Sequence, residues 1–553
     1  MNISSLFQPL QDSNLAHLKI KSPFTIPSGI VTTVPSVIAR IARDVPQIGF
    51  LTTKTLSVSP RSGYREPVLH EYYPGCFVNA VGLANPGAES FLETMKSLLP
   101  LPDSKPLFVS IMGEDPEEFL ECARILDPIA DAFELNLSCP HVKGAGQHVG
   151  SDPHSVRSII RLLKKHLNKP IIPKLSPNLG DIGGMSKLCE AAGADALSLI
   201  NTVGPGIAVD SQGQPILTNV VGGLSGAGIF PVGLKAVREA ASLVKIPIIA
   251  SGGIYSAQDV IAYKAAGASL FAVGSALAGM TTSLIAGFFK DLIDKLEQGE
   301  GDQFARGLPI QPLTDYFRTT VVDNRPIGAG IFMLRLKEGP ICPPGRFFFL
   351  RLPGVGEKPF SPMFDMEPAY LVRNVGPFTA ALGRLKPGDP VDMRGPYGKG
   401  FPPPEEGRPL ILIGGGTGAA PIILAGTFFR KSVSKAFFGF SAEIVESFEE
   451  QIMTRIPGSQ IVNDPPGKIG EIVRALESDL VANPALYRDC AAFVCGPGPM
   501  MSAVIGALRQ HSPKGGIHLA REDVMKCGIG ICGSCGTENG WRSCVDGPVM
   551  RHD

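Results

Sequence analysis

Eight short apolar runs recur between residues 20 and 290, each closing on a polar residue or a glycine. They are "FTIPSG" (24–29), "GFLTTKT" (49–55), "LFVSIMG" (107–113), "AFELNLS" (132–138), "PIIPKLS" (170–176), "ALSLINT" (196–202), "PIIASGG" (247–253) and "LFAVGSA" (270–276). Helical stretches separate most of them, such as "SVRSIIRLLKKHL" (155–167) and "AQDVIAYKAAG" (257–267). Eight strand–helix units in about 270 residues fit an α/β fold of the (β/α)8, or TIM, barrel type better than an open sheet. In that architecture functional side chains stand at the C-terminal strand ends. Here those ends read Ser28-Gly29, Lys54, Ser110, Asn136, Lys174, Asn201, Gly252-Gly253 and Gly274-Ser275, a polar and glycine-rich ring that predicts a site on one face.

A barrel accounts for little more than half of 553 residues, so further domains are expected. The alternation stops near "EQGEGDQFARGLPIQP" (297–312), which reads as a linker. We divide the chain into a barrel domain over 1–305, an antiparallel β-barrel domain over 313–405 without a clear helix, a smaller nucleotide-binding α/β domain over 406–512, and a cysteine-rich segment over 515–553. Charge is balanced, 51 basic against 51 acidic residues, with no long run of either sign, so neither a nucleic acid nor an anionic membrane is an expected partner. Residues 265–289 and 409–429 are uncharged and long enough to cross a bilayer, but glycines break both into strand, turn and helix. The N-terminus lacks a basic and an apolar signal region, and a cytoplasmic location is expected.

Four of the eleven cysteines lie in the final 27 residues, in "CGIGICGSCGTENGWRSC". Cys527, Cys532, Cys535 and Cys544 follow C-x4-C-x2-C-x8-C. That spacing suits a 2Fe–2S cluster, with structural zinc the competing reading because zinc more often uses paired C-x2-C knuckles. "GGGTG" (Gly414, Gly415, Gly416, Thr417, Gly418) follows the strand "LILI", where a glycine turn can set a helix N-terminus against a pyrophosphate. "CGPGPMM", opening on Cys495 and Gly496 at another strand end, suits a nicotinamide site. In the barrel, Gly252-Gly253 and Gly274-Ser275 end strands seven and eight, where phosphate is often held, although close helix–strand packing would also demand glycine. Lys54 and Lys174 each end an apolar strand and need an anion or an electron-rich cofactor, and with the phosphate loops they point to FMN. Cys139, two residues past the fourth strand run's Leu137, precedes the glycine-rich "HVKGAGQHVG", read as a lid. It is either a small core thiol or a general base.

With these motifs in place the chain resembles the class 1B dihydroorotate dehydrogenases along nearly its whole length. The likeness rests on "TKT" (53–55), "NAVGLANPG" (79–87), "ELNLSCP" (134–140), "PKLSPN" (173–178), "INT" (200–202), "GGLSG" (222–226), "ASGGI" (250–254) and "VGSA" (273–276). In the second half it rests on "RGPYGKGF" (394–401), "GGGTGAAP" (414–421), "CGPGPMM" and "EDVMKCGIGICGSC" with "CVDGPVM". The resemblance implies a catalytic subunit fused to its ferredoxin-reductase-like electron-transfer subunit, paired through the barrel as a homodimer. It implies that Cys139 removes the C5 proton of dihydroorotate and that Lys54, Asn79, Gly82, Leu83, Asn136, His141, Asn201 and Thr202 hold the pyrimidine. FMN would lie on Ser28, Gly29, Lys54, Lys174, Gly226, Gly252, Gly253, Gly274 and Ser275, and FAD on Lys358, Pro359, Phe360 and Ser361. NAD+ would lie at residues 414–418 with Cys495 and Gly496. Electrons would run from FMN through 2Fe–2S and FAD to NAD+.

The chain departs from the family pattern at three places. His141 stands where the family usually has an asparagine that hydrogen-bonds orotate, whereas dihydropyrimidine dehydrogenases carry Ser-Cys-Pro-His. Lys358 replaces an arginine, keeping the charge but losing the two-pronged fork. "INTVGPGI" diverges after Thr202. Reduction or oxidation of uracil-type pyrimidines is therefore an alternative function, and an electron-transfer protein with a non-catalytic barrel is another.

Overall fold

The computed structural model describes residues 15, 17–138, 149–298, 311–364, 367–464 and 470–552. They form two compact units, one reaching to Leu313 and including Ile529–Arg542, the other comprising Thr314–Gly528 and Ser543–Asp553.

In the first unit all eight sequence runs contain a strand: Phe24–Thr25, Leu51–Thr52, Leu107–Ile111, Ala132–Asn136, Ile171–Leu175, Leu197–Leu199, Ile248–Ser251 and Leu270–Ala272. They are parallel and follow chain order around a nearly closed barrel, with the eighth strand back beside the first. Alternate residues divide between two cores, as strand pleating requires. Phe133, Leu135, Ile171 and Leu197 pack outward under the helices. Phe50, Phe108, Ala132, Ile172 and Ile249 pack together on the other face, inside the barrel. The same parity turns Lys54, Ser110, Glu134, Asn136 and Lys174 inward at the C-terminal strand ends.

The helix Pro153–His166 illustrates how the outer layer forms. Val156, Ile159, Ile160 and Leu163 recur at helical spacing and are buried, while Lys164, Lys165 and His166 sit in the last turn, where the helix dipole favours cations. Asp152 caps the start, accepting from the His154 and Ser155 amides at 3.2 and 2.9 Å, and Pro153 supplies a pre-set first turn. The Ser155 hydroxyl and amide lower the Asp152 pKa. Replacing Asp152 with alanine is expected to cost about 1 kcal/mol in urea denaturation at neutral pH. Because the folded-state pKa is the lower one, the cap's contribution is present above the unfolded value of about 3.9 and vanishes as pH falls through the folded one.

One element of this unit has no counterpart in the sequence alternation. Leu69–Tyr73, Cys76–Asn79, Gly222–Gly226 and Val203–Gly206 form, in that order, a separate antiparallel sheet. Two of its strands, "GGLSG" and "VGPG", carry too many glycines to show apolar alternation.

The second unit holds a six-stranded antiparallel sheet and a six-stranded, mostly parallel one. The first comprises Phe317–Gly328, Ile331–Leu336, Phe347–Leu352, Gly356–Phe360, Ala369–Arg373 and Pro390–Tyr397. It also carries a short helix, Pro377–Leu382, in a region read from sequence as lacking one; Pro377 at its first turn and Gly376 before it are helix-start signals too brief to stand out in a proline-rich stretch. In the second sheet Leu410–Gly415 is central, flanked by Val433–Phe440 and Ala491–Cys495. Ile517–Ala520 extends it, and Val549–His552 adds an antiparallel edge. Among the described residues no helix is long and apolar enough to cross a membrane.

Candidate active site

A cavity of about 630 Å³ lies at the C-terminal ends of the barrel strands. Ser28, Gly29, Lys54, Asn136 and Lys174 line it from strands one, two, four and five and the loops that follow. Asn201 and Thr202 follow strand six, Gly252 and Gly253 strand seven, and Gly274 and Ser275 strand eight. The antiparallel sheet and its loops add Asn79, Gly82, Leu83 and Gly226. Every barrel residue singled out from the sequence as a substrate or flavin contact thus borders one cavity, apart from Cys139 and His141. Those two, and most of the predicted lid, lie outside the described residues. Ser138 and Gly150, on either side of that segment, both line the cavity.

A continuous polar chain underlies this wall. The Ser28 and Thr55 hydroxyls are 3.1 Å apart, and Thr55 is 3.0 Å from the Ser110 hydroxyl. Ser110 donates to Glu134 Oε1 at 3.2 Å, and the same oxygen pairs with Lys174 Nζ at 3.5 Å. Asn136 Nδ2 donates to Thr55 Oγ1 at 3.1 Å, while Asn136 Oδ1 accepts from Asn201 Nδ2 at 3.3 Å. Glu134 and Lys174 are both buried, so each depends on the other for charge compensation. Sequence reading placed Ser110 in the ring of strand ends but did not single out Thr55 or Glu134. The available signal was a carboxylate and hydroxyls at inward positions of otherwise apolar strands.

The residues suit a flavin phosphate and ring. Gly252 and Gly253 adopt φ of 117° and 73°, conformations open to glycine, and a β-carbon on Gly29 would lie 3.2 Å from Lys54 Nζ. The buried Tyr263 fixes the seventh loop by donating to the Gly252 carbonyl at 2.7 Å. Ser138 Oγ is buried without a hydrogen-bond partner among the described residues, an orphaned polar atom on a cavity wall that a bound ligand would satisfy.

In the second unit, Lys358, Pro359 and Phe360 lie on Gly356–Phe360, the outermost strand of the antiparallel sheet, with Ser361 immediately after. An edge strand tolerates the proline. Phe360 stacks on Phe378 of the short helix, ring centroids 6.4 Å apart. The neighbouring Glu357 faces the opposite way and is buried against Arg394, which grips both carboxylate oxygens. Arg394 Nη1 also donates to the carbonyl of Cys527 at 2.9 Å.

The turn Gly414–Gly418 joins strand Leu410–Gly415 to helix Ala419–Phe428. Its glycines do different work. β-Carbons on Gly415 and Gly418 would lie 2.3 Å from Met500 Sδ and 2.7 Å from the Cys495–Gly496 backbone, so close packing requires both. Gly416, at φ 55°, stands beside the Arg373 guanidinium. Glu522 joins this group: burial raises its carboxyl pKa, opposed by Arg373 and by a hydrogen bond from the Thr417 hydroxyl. Burial likewise raises the pKa of the Cys495 thiol. Arg373 and Glu522 were not singled out from the sequence because both are remote in the chain from the glycine turn.

Cys527, Cys532, Cys535 and Cys544 are all buried. Among the described residues no three such donors converge as they would on a single ion. The glycines at 528, 530 and 533 adopt left-handed φ, and it is the C-x4-C-x2-C-x8-C spacing of these cysteines that suits a 2Fe–2S cluster.

Comparison with known proteins adds four findings. The family model described as "Dihydroorotate dehydrogenase" matches residues 10–297. That described as "Iron-sulfur cluster binding domain of dihydroorotate dehydrogenase B" matches residues 522–553. The chain is 43% identical over 265 residues to the protein named dihydroorotate dehydrogenase B (NAD(+)), catalytic subunit, of Pyrococcus abyssi, covering 48% of this chain and 86% of that protein. The protein of the same name from Methanothermobacter thermautotrophicus is 37% identical over 268 residues, again 48% of this chain and 86% of the relative.

Proposed function

The chain belongs to the dihydroorotate dehydrogenase family of oxidoreductases, and from that premise we propose that it oxidises dihydroorotate to orotate and delivers the electrons to NAD+ within one polypeptide, as a step of pyrimidine biosynthesis. The observation that carries this reading is that the barrel cavity is bordered by the predicted flavin and pyrimidine contacts and also by Ile531 and Cys532 of the cysteine segment. A barrel wall built partly from a predicted cluster ligand would give electrons a short way out of the cavity on that side.

When bound, FMN, the 2Fe–2S cluster and FAD would together supply an electron path, in that order, from the pyrimidine to NAD+. The chain's own residues supply binding, orientation and proton transfer. Cys139 would hold the C5 proton of dihydroorotate on its sulfur. Asn136 and Asn201, already bonded to each other, would present their remaining polar atoms to the pyrimidine, with Asn79, Thr202 and the Gly82-Leu83 turn closing the opposite side. His141 would take the place of the family asparagine. Lys54, on the cavity wall, would contact both the pyrimidine and the flavin, and Lys174, poised by Glu134, would place positive charge at the ring's polar edge. The loops at Gly226, Gly252-Gly253 and Gly274-Ser275 would hold the flavin phosphate. In the second unit Lys358 to Ser361 would hold FAD, and the 414–418 turn with Cys495 and Gly496 would receive NAD+.

Cofactor analysis of the purified chain tests this reading. FMN and FAD in equal amounts, with two irons and two acid-labile sulfides per chain, are expected for one 2Fe–2S centre. A chain that retains zinc in place of iron, or one flavin type alone, contradicts it.

A further inference from the structure

Ile529–Arg542, which carries Cys532 and Cys535, is part of the first unit, and the loops after the first and eighth barrel strands hold it. The Val31 amide donates to the Ile531 carbonyl at 2.6 Å, and the Gly279 amide to the Ile529 carbonyl at 2.8 Å. The Thr33 hydroxyl donates to the Cys532 carbonyl at 2.7 Å, and the Ser36 hydroxyl to the Thr537 carbonyl at 2.7 Å. The buried Arg542 bridges the Gly530 and Met280 carbonyls at 2.9 and 2.7 Å. The Arg40 guanidinium lies 3.4 Å from the centre of the Trp541 ring.

Among these contacts, Thr33 is the side chain that acts on a predicted cluster ligand. Its own loop is firmly set. Val31 is fully buried at φ 64°, a conformation that costs a β-branched residue energy and persists only where surroundings enforce it. The Thr32 carbonyl accepts from the Lys54 amide at 2.8 Å, tying the loop to the second strand end. A β-carbon on Gly533 would lie 2.8 Å from both Thr33 Oγ1 and the Val31 carbonyl, so the two backbones meet without space between them. Ser28, Gly29 and Ile30 of the same loop border the cavity, as do Ile531 and Cys532.

We propose that Thr33 is a positioning residue: its hydroxyl holds the Cys532 carbonyl so that Cys532 forms the cavity wall, making this cysteine the side of the cluster that faces the flavin. The inference rests on the functional reading above. Thr33→Val removes the donor and keeps the shape, so folding is not at stake. Amide hydrogen exchange of the 529–542 segment in the full holoenzyme is expected to quicken about fivefold, the factor that a net hydrogen bond of roughly 1 kcal/mol is worth. Anaerobic reduction of the cluster by dihydroorotate, followed by its electron paramagnetic resonance signal, is expected to slow by a similar factor or more. Flavin bleaching by dihydroorotate should keep its rate, and Thr33→Ser should restore both altered readouts. Wild-type exchange and wild-type cluster reduction in Thr33→Val, or a Thr33→Ser chain that behaves as Thr33→Val, would overturn the assignment. If dihydroorotate fails to bleach even the unaltered chain, the functional reading has failed, and the exchange comparison still decides whether Thr33 holds the segment.

Discussion

Cys139→Ala is expected to slow the bleaching of bound flavin by dihydroorotate about 10²–10⁴-fold, the range that a positioned general base contributes. The expectation follows from where the fourth barrel strand leaves the chain. Asn136 ends that strand inside the polar network, and its Oδ1 accepts from the Ser138 amide at 3.2 Å. Ser138 then lines the cavity, one residue before the cysteine. Reduction of the FAD side by NADH should be untouched, because it does not involve the barrel's proton acceptor. Stopped-flow mixing under anaerobic conditions separates the two half-reactions. Bleaching at the unaltered rate in Cys139→Ala would remove the thiol from the reaction and return it to the role of a small core residue.

Arg394→Met is expected to destabilise the second unit by about 3–5 kcal/mol, the cost of leaving a buried carboxylate without its partner. Arg394 and Glu357 are completely buried, and Tyr316 adds a hydroxyl donor to Glu357 Oε2 at 2.7 Å. Arg394 also lies 4.1 Å from the centre of the Phe349 ring and donates to Tyr397 at 3.0 Å. Because Arg394 also donates to the Cys527 carbonyl, iron content should fall along with the thermal midpoint. Replacing both partners, Glu357→Gln with Arg394→Met, should recover most of the stability, since no unpaired charge then remains. The iron deficit should persist in the double variant. Thermal unfolding with iron analysis of the two variants checks this. A single variant as stable as the parent would show that water reaches this pair.

The barrel was legible in the sequence because its strands are apolar on both faces and end on polar or glycine residues, a pattern that survives without knowledge of neighbours. Lys54 and Lys174 stood out for the same reason. Glu134 did not, although it lies two residues before Asn136, because only strand parity and the Lys174 partner give a carboxylate inside a strand its meaning. The antiparallel sheet that brings Asn79 and Gly226 to the cavity was hidden by its glycine-rich strands. In the second unit the glycine turn was visible, yet Arg373 and Glu522 reach it from distant parts of the chain. The grip of Thr33 on Cys532 joins residues 499 apart in sequence and had no local signal at all.

The central claim is that one chain carries electrons from dihydroorotate to NAD+. The most direct test is anaerobic turnover of the purified chain with dihydroorotate and NAD+, and in parallel with dihydrouracil and NAD+, following NADH and the oxidised pyrimidine together. The account predicts one NADH for each orotate with no added subunit, and no turnover of dihydrouracil. NADH formation with dihydrouracil alone, or orotate formation without NADH, would contradict it.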